Sequence, residues 1–370
     1  MSYAKGLEGV IAGETAISNV EGDVGRLSYR GYDIMDLATL GYETVMWLLI
    51  FGELPDAEEL GQLNSFLMQH GTLSKDEIDL ISRLPASLHP MRMLQSMVPL
   101  LTLDRSLCFR DLSSEAVAGL QIIARMPTLI AISHQQDGPS FDTNAMYLAN
   151  FLNMFTGTLN PDHLKVLQVA QILQMEHGFN AGTFTSHVVG STLAPIDAVI
   201  SAAIGALFGI LHGGADQAAL QDAQRVGNPE YAERYIDQLF ADKALLMGMG
   251  HREYRTVDPR ASILKPMAEA LCLGSNYEND YLTLAALEAA FNHKMKAKGK
   301  EVWANVEFYK GAVYEAIGIP QDYFTALFAM SRCVGWLAHF IECRSDSRII
   351  RPKAQYIGAA PRALPKIVSN

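Results

Sequence analysis

From Ile34 onward, apolar residues recur three and four positions apart, as in D-L-A-T-L-G-Y-E-T-V-M-W-L-L-I-F-G, where Gly52 and Pro55 close the run. The same spacing predicts helices over 56–71, 88–103, 113–133, 143–154 and 161–176, most of them punctuated by proline or glycine. Only the first thirty residues read as strand. Ile17 and Val20 precede the turn Glu21-Gly22-Asp23, and Leu27 and Tyr29 alternate with polar neighbours beyond it, which is the pattern of a hairpin. Strand–helix alternation and the G-x-G-x-x-G fingerprint are both missing, which disfavours a doubly wound nucleotide-binding fold. A fixed-period repeat, the mark of a helical solenoid, is missing too. The pattern therefore predicts an all-α chain with a small N-terminal β-hairpin.

Two apolar stretches approach the length of a membrane span. One, 188–211, contains Pro195 and Asp197; the other, 323–341, carries Arg332 near its middle. A central arginine costs about 2.5–3.5 kcal/mol on insertion even on the lenient scale. Both stretches read as helices buried inside a large protein.

Length and charge narrow the function. A chain of 370 residues exceeds one compact core and suits two lobes. The formal net charge of -11 argues against nucleic-acid or anionic-membrane binding, since both favour a basic surface. An acidic protein that handles anionic substrates must gather its cations locally, so clustered arginines are the feature to look for. The four cysteines stand apart without a C-x-x-C pair, which suits free, mostly buried thiols in a reducing compartment and not a zinc site. The N-terminal Met-Ser-Tyr-Ala-Lys-Gly lacks an apolar signal core, and the cytoplasm is the expected location.

Three histidines stand where a ligand could reach them. His177 lies in M-E-H-G-F-N-A-G-T-F-T-S-H, where glycine and polar residues interrupt a helical pattern. His212 follows a long uncharged run and precedes Gly213-Gly214; His251 sits in M-G-M-G-H-R-E-Y-R-T-V-D-P-R with Arg252, Arg255 and Arg260 behind it. Taken singly, each is equally at home as a hydrogen-bonded structural residue. Arg332 is sharper, being the one formally charged residue between Asp322 and Glu342. Buried, it needs a partner, either an internal carboxylate or a substrate carboxylate held in a two-point fork. The lysines at 294, 296, 298 and 300 read as a solvated helix end, or as contacts to a phosphate-bearing ligand.

In combination these segments say more. L-F-G-I-L-H-G-G-A, M-G-M-G-H-R-E-Y-R-T-V-D-P-R-A, A-N-V-E-F-Y-K-G-A-V-Y, S-R-C-V-G-W-L-A-H and R-I-I-R-P-K-A follow one another in this order. With G-L-E-G-V, R-G-Y-D-I-M-D-L-A and H-P-M upstream, the chain resembles the citrate synthase family over essentially its whole length. The resemblance implies a two-lobed helical fold, with a large lobe of 1–213 and 319–370 and a smaller lobe of 214–318 inserted in it. It implies a homodimer that condenses acetyl-CoA with oxaloacetate, a reaction of the tricarboxylic acid cycle. His177, His251, Arg260 and Arg332 would hold oxaloacetate, and Arg351 would reach into the neighbouring subunit's site. His251 would polarise the ketone, and His212 would hydrogen-bond the thioester carbonyl as it becomes an enol. Arg252, Arg255 and Lys353 are candidates for coenzyme A. No metal and no cofactor is called for, because coenzyme A enters as part of a substrate.

One position departs from the pattern. The residue that removes the methyl proton is an aspartate in the family's N-V-D-F-Y, and here it is Glu307. A carboxylate one methylene further out, on a freer stem, is expected to be misplaced and slow unless its surroundings compensate. In that case Glu307→Asp should raise turnover. The rival readings are a 2-methylcitrate synthase acting on propionyl-CoA, the reverse cleavage of citryl-CoA, and a weakened relative that binds oxaloacetate without turnover.

Overall fold

The computed structural model describes residues 3–135, 140–209 and 212–363. Sixteen α-helices among these residues surround a small three-stranded antiparallel sheet. The last two positions of the 188–211 run, and 364–370 of the expected large lobe, lie outside the described residues.

The helices begin where the sequence supplies caps. Asp56 with Glu59, and Ser74 with Glu77, form reciprocal capping boxes at the starts of Ala57–His70 and Lys75–Ser82. Asn160, Asn180, Asp258 and Asn305 accept backbone N–H groups at four further starts, two of them followed by proline at the first helical position. Lys75–Ser82 escaped the periodicity analysis because its eight residues are too short to show a period. The expected 88–103 helix ends at Met97 and continues as a single 3₁₀ turn over Val98–Leu100, where Pro99 interrupts it. The run from Ile34 divides into Ile34–Leu37 and Tyr42–Phe51, because Gly41 starts the second helix in extended backbone. The strands are Ser18–Glu21, Arg26–Tyr29 and a short third, Tyr32–Asp33, pairing Ser18 with Tyr29 and Tyr29 with Tyr32.

The longest apolar helix, Phe324–Ser345, runs through the core. It packs against Tyr42–Phe51, Ser114–His134, Ala181–Gly190 and Ile196–Leu207. It and Ser114–His134 are long and apolar enough to cross a membrane, yet 94% and 83% of their most apolar windows are buried in protein. The 188–211 run is two helices, Ala181–Gly190 and Ile196–Leu207, parted by a turn that ends at Pro195. Gly335 lets the core helix approach the 174–177 turn, since a β-carbon there would collide with the carbonyl oxygen of Met175. Arg332 and His177 thereby come into one neighbourhood. A second group of helices, Ala215–Val226, Ala232–Asp242, Pro259–Cys272, Glu278–Ala297 and Val306–Ala316, packs chiefly on itself and meets the rest mainly at Ile34–Leu37, Pro161–Ile172 and the 3₁₀ turn Gln321–Tyr323. Cys272 and Cys333 are buried free thiols, Cys343 is half-buried and Cys108 is exposed.

Candidate active site

Two segments distant in sequence are stitched into one platform. Gly250 N–H donates to the Trp303 carbonyl at 2.8 Å, Asn305 N–H donates to Gly248 at 2.9 Å, and Met249 bridges Ala304. Asn305 then works twice: its Oδ1 caps the Val306–Ala316 helix by accepting from Glu307 N–H at 2.9 Å, and its amide donates to the Gly250 carbonyl at 2.8 Å. The turn that carries His251 and the helix start that carries Glu307 are therefore one rigid unit. The hairpin supports the same turn from outside. Arg255 N–H donates to Gly22 O at 3.0 Å, and a β-carbon at Gly22 would collide with the Glu253 carbonyl.

The imidazoles of this site are neutral. His251 Nδ1 accepts from the backbone N–H of Glu253 at 3.0 Å and of Tyr254 at 3.3 Å. A neutral ring accepting on Nδ1 carries its proton on Nε2, so Nε2–H is the group His251 presents. Burial, with the Arg260 charge beside it, pushes its pKa down to about 4. The guanidinium of Arg260 is 3.4 Å from Nε2 and, having only donors, makes a charge contact there. His177 lies with its ring centre 5.1 Å from that of His251 and shares a hydrogen bond of 3.1 Å with the Tyr254 hydroxyl. Burial, then Arg260, holds it well below the usual histidine range. His212 is likewise pushed down to about 4, by burial first and Arg332 second, while the Glu307 charge acts the other way. Its Nδ1 is buried with no hydrogen-bond partner among the described residues.

The two buried arginines differ in a way that decides between their readings. Arg260 grips Asp258 with Nε at 3.0 Å and a terminal nitrogen at 2.8 Å, and Asp258 also accepts from Val306 N–H at 3.2 Å. Arg332 is 1% exposed, yet its one hydrogen bond among the described residues runs from Nε to the Gln174 carbonyl, at 2.7 Å. Its guanidinium lies 4.9 Å over the Phe328 ring, and the described residues offer it no carboxylate within ion-pair distance. Glu176 is the main source of opposing charge for it, beyond ion-pair distance; its Oε1 accepts from Ser18 Oγ and His339 Nε2, each at 3.0 Å, and its Oε2 is buried without a hydrogen-bond partner among the described residues. Among the described residues no carboxylate forms an ion pair with Arg332, and its terminal nitrogens make no hydrogen bond. Across the same site, Glu307 is 9% exposed and its Oε2 accepts from Lys310 Nζ at 2.6 Å.

A buried guanidinium without an acid, neutral imidazoles around it and one carboxylate opposite invite comparison with known proteins. The family model for the citrate synthase C-terminal domain matches residues 6–353. The chain belongs to the citrate synthase family. It is 38% identical to a citrate synthase of Acidithiobacillus ferridurans, over 98% of this chain and 97% of that relative. It is 35% identical to a 2-methylcitrate synthase of Shewanella oneidensis, over 99% and 97% of the two chains. The fold matches citrate synthase from Thermoplasma acidophilum, solved in a ternary complex with carboxymethyl coenzyme A and oxaloacetate, with a TM-score of 0.91, 30% identity and 99% of each chain covered.

Of the residues singled out from the citrate synthase pattern, His177 and Arg260 each meet His251 directly, Arg332 acts on His177 and Arg260 by charge, and His212 and Glu307 are coupled to Arg332 in the same way. Others lie apart. Arg351 is exposed in the 346–363 tail, and among the described residues it donates only to the Pro352 carbonyl, at 3.2 Å. Lys353 is exposed in the same tail, and Arg252 is exposed beside Gly6. Arg255 lines a small cavity of about 140 Å³ that begins at His251 and Tyr254, and also a wider cleft of about 530 Å³ shared with Lys296 and Lys300. Sequence reasoning passed over Asp216, Tyr254, Asp258 and Lys310. Lys310 had a signal of the same kind as Arg332, being the one formal charge between Glu307 and Glu315.

Proposed function

We propose that this chain condenses acetyl-CoA with oxaloacetate and water, giving citrate and coenzyme A, with Glu307 as the base. The observation that carries this reading is Arg332, a buried guanidinium with no internal carboxylate, set among imidazoles held neutral. Oxaloacetate brings two carboxylates, which suit Arg332 and Arg260, with His177 beside them. The Nε2–H of His251 is the donor for its ketone oxygen.

Glu307 takes a proton from the thioester methyl, and the carbon–hydrogen electron pair becomes the double bond of an enolate whose oxygen accepts a hydrogen bond from neutral His212. The enolate carbon attacks the ketone carbon of oxaloacetate and the thioester carbonyl re-forms, while the ketone oxygen takes the Nε2 proton of His251; the ring regains a proton from water, and Glu307 releases the one it took. Water then cleaves the citryl thioester and releases the thiol of coenzyme A. Arg255, Lys296 and Lys300 around the wider cleft suit the phosphates of coenzyme A, with Arg252 and Lys353 as further candidates. This chemistry uses no metal and no redox cofactor.

The reading extends to a homodimer in the cytoplasm, in which Arg351 completes the neighbouring subunit's site. Within each subunit, 214–318 would close as a small lobe over the larger one and exclude water during condensation. Inactive Arg332→Ala and Arg351→Ala proteins, mixed and allowed to exchange subunits, should recover activity; no recovery would argue for self-contained sites. The 35% identity to a 2-methylcitrate synthase favours one second reading, propionyl-CoA as the acyl donor.

The test is thiol release from acetyl-CoA and from propionyl-CoA in the presence of oxaloacetate, with and without a chelator. Release with acetyl-CoA at the higher kcat/KM, unchanged by chelation, is the expected result. A higher kcat/KM with propionyl-CoA would reassign the substrate, and no release with either thioester would overturn the reading.

A further inference from the structure

The Val306–Ala316 helix carries a fully buried lysine three residues after Glu307, and nothing so far has given it a task. Lys310 Nζ donates to Glu307 Oε2 at 2.6 Å and to Gln174 Oε1 at 3.1 Å. It lies 3.2 Å from Oδ2 of Asp216, the first-turn acid of the Ala215–Val226 helix. That approach is a charge contact without hydrogen-bond geometry, so Oδ2 is buried with no donor of its own. Both the Lys310 and Asp216 side chains are at 0% exposure, and that of Glu307 is at 11%. The trio is thus two carboxylates around one ammonium, enclosed in protein except on the Glu307 side.

An ammonium has three donors, and here two are committed while the third faces an acid that lacks one. A buried lysine between two acids is costly to keep, and a purely structural role needs only one of them. We propose that Lys310 is a positioning residue for the base, clamping Oε2 of Glu307 so that Oε1 faces the substrate, with Asp216 receiving the ammonium once Glu307 is protonated.

The inference rests on the reading of Glu307 as the base. It also accounts for the glutamate: the longer stem is fastened at one oxygen, and the flexibility that the extra methylene would bring is removed. The proton balance is simple. The methyl proton passes to Oε1, its bonding pair stays with the substrate carbon, Glu307 becomes neutral, and Lys310 keeps its charge by turning to the vacant lone pairs of Asp216. Burial works to raise the Asp216 carboxyl above the ordinary range against the pull of Lys310. Burial likewise works against the Lys310 charge, but Asp216 and Glu307 hold the ammonium charged. The groups facing the trio are Gln174 and the Tyr314 hydroxyl, with His212 and Arg332 within charge range.

The experiment compares wild type with Asp216→Asn and with the double variant Asp216→Leu/Lys310→Met, which removes the two charges together so that no unpaired ion is left buried. Wild type must first release thiol from acetyl-CoA and oxaloacetate; if it does not, the functional reading fails and this inference falls with it. With wild type active, the double variant should fold, keep KM for oxaloacetate within about twofold, and lose roughly a hundredfold in kcat, with a primary isotope effect on methyl-deuterated acetyl-CoA larger than in wild type. Asp216→Asn leaves the ammonium undivided on Glu307, so kcat should fall at neutral pH and the acid limb of the kcat profile should move to lower pH. Glu307→Asp would draw the carboxylate away from Nζ and should lower kcat. A folded double variant with wild-type kcat, an Asp216→Asn protein with an unmoved acid limb, or a faster Glu307→Asp would each overturn the proposal.

Discussion

At the scale of single residues, the signal that identified the site was charge in the wrong company. Arg332 stands alone in an apolar run, and the structure leaves its terminal nitrogens without an acid. Arg332→Lys should therefore raise KM for oxaloacetate by roughly ten- to a hundredfold although the charge is kept, because an ammonium cannot reproduce a planar fork on a carboxylate. Steady-state kinetics with varied oxaloacetate checks this, and an unchanged KM would mean that the arginine is structural. The same signal at Lys310 went unused because Glu307 drew attention as a departure in itself. Read without its neighbour, the glutamate looked like a loose base. Read with Lys310 2.6 Å away, its carboxylate is fastened at one oxygen, and on the proposed reading the expected gain from Glu307→Asp becomes an expected loss. Asp258 was hidden for another reason. Its partner Arg260 is two residues away, and a local pair of that kind gives no hint from sequence that it anchors a distant helix through Val306 N–H.

At the scale of elements, long apolar periods were legible and short joints were not. The helices Ser114–His134 and Ala57–His70 lie within a residue or so of their expected ranges because capping residues mark their starts. Lys75–Ser82 has a capping box at its start but is too short to show a period, and the break between Leu37 and Tyr42 left no such trace. The site depends on joints of this kind. Gly22 belongs to a hairpin turn, and its value lies in what it touches, the carbonyl of Glu253 two residues after His251. Gly22→Ala should displace that carbonyl and with it the Glu253 and Tyr254 N–H groups that hold the His251 ring, raising KM for oxaloacetate about tenfold or more while helix content stays the same. Circular dichroism together with steady-state kinetics on the variant tests it; wild-type KM would show that the turn yields without moving His251.

At the scale of the whole molecule, burial of neutral histidines ties stability to pH. His187, His212 and His251 are each pushed down to about 4, chiefly by burial, and His177 is also strongly lowered. In the unfolded chain these rings take up protons near pH 6.5, so between about 6.5 and 4 the unfolded state binds more protons than the folded one. Stability from this source is complete above about pH 6.5 and is lost as the pH falls toward 4. The buried carboxyls of Glu43, Asp216 and Asp222, raised mainly by burial and that of Asp216 to about 6, act in the opposite sense as the pH falls through their folded pKa values, and the four histidines outnumber them at the neutral end of the range. Tm should therefore fall between pH 7 and 5.5, measurable by calorimetry, and a flat Tm over that interval would contradict the assignment. The fold class could be read from apolar spacing, since a helix is a local event. The platform could not, because it joins positions far apart in the chain. The hairpin turn at Gly22 braces a loop made about 230 residues later, so the candidate site includes a contact of very high sequence separation. During synthesis or refolding, helices can form from local sequence while the first thirty residues wait for their partner. Recovery of ellipticity should then run ahead of recovery of catalysis, and turnover becomes a reporter of the last long-range closure of the chain.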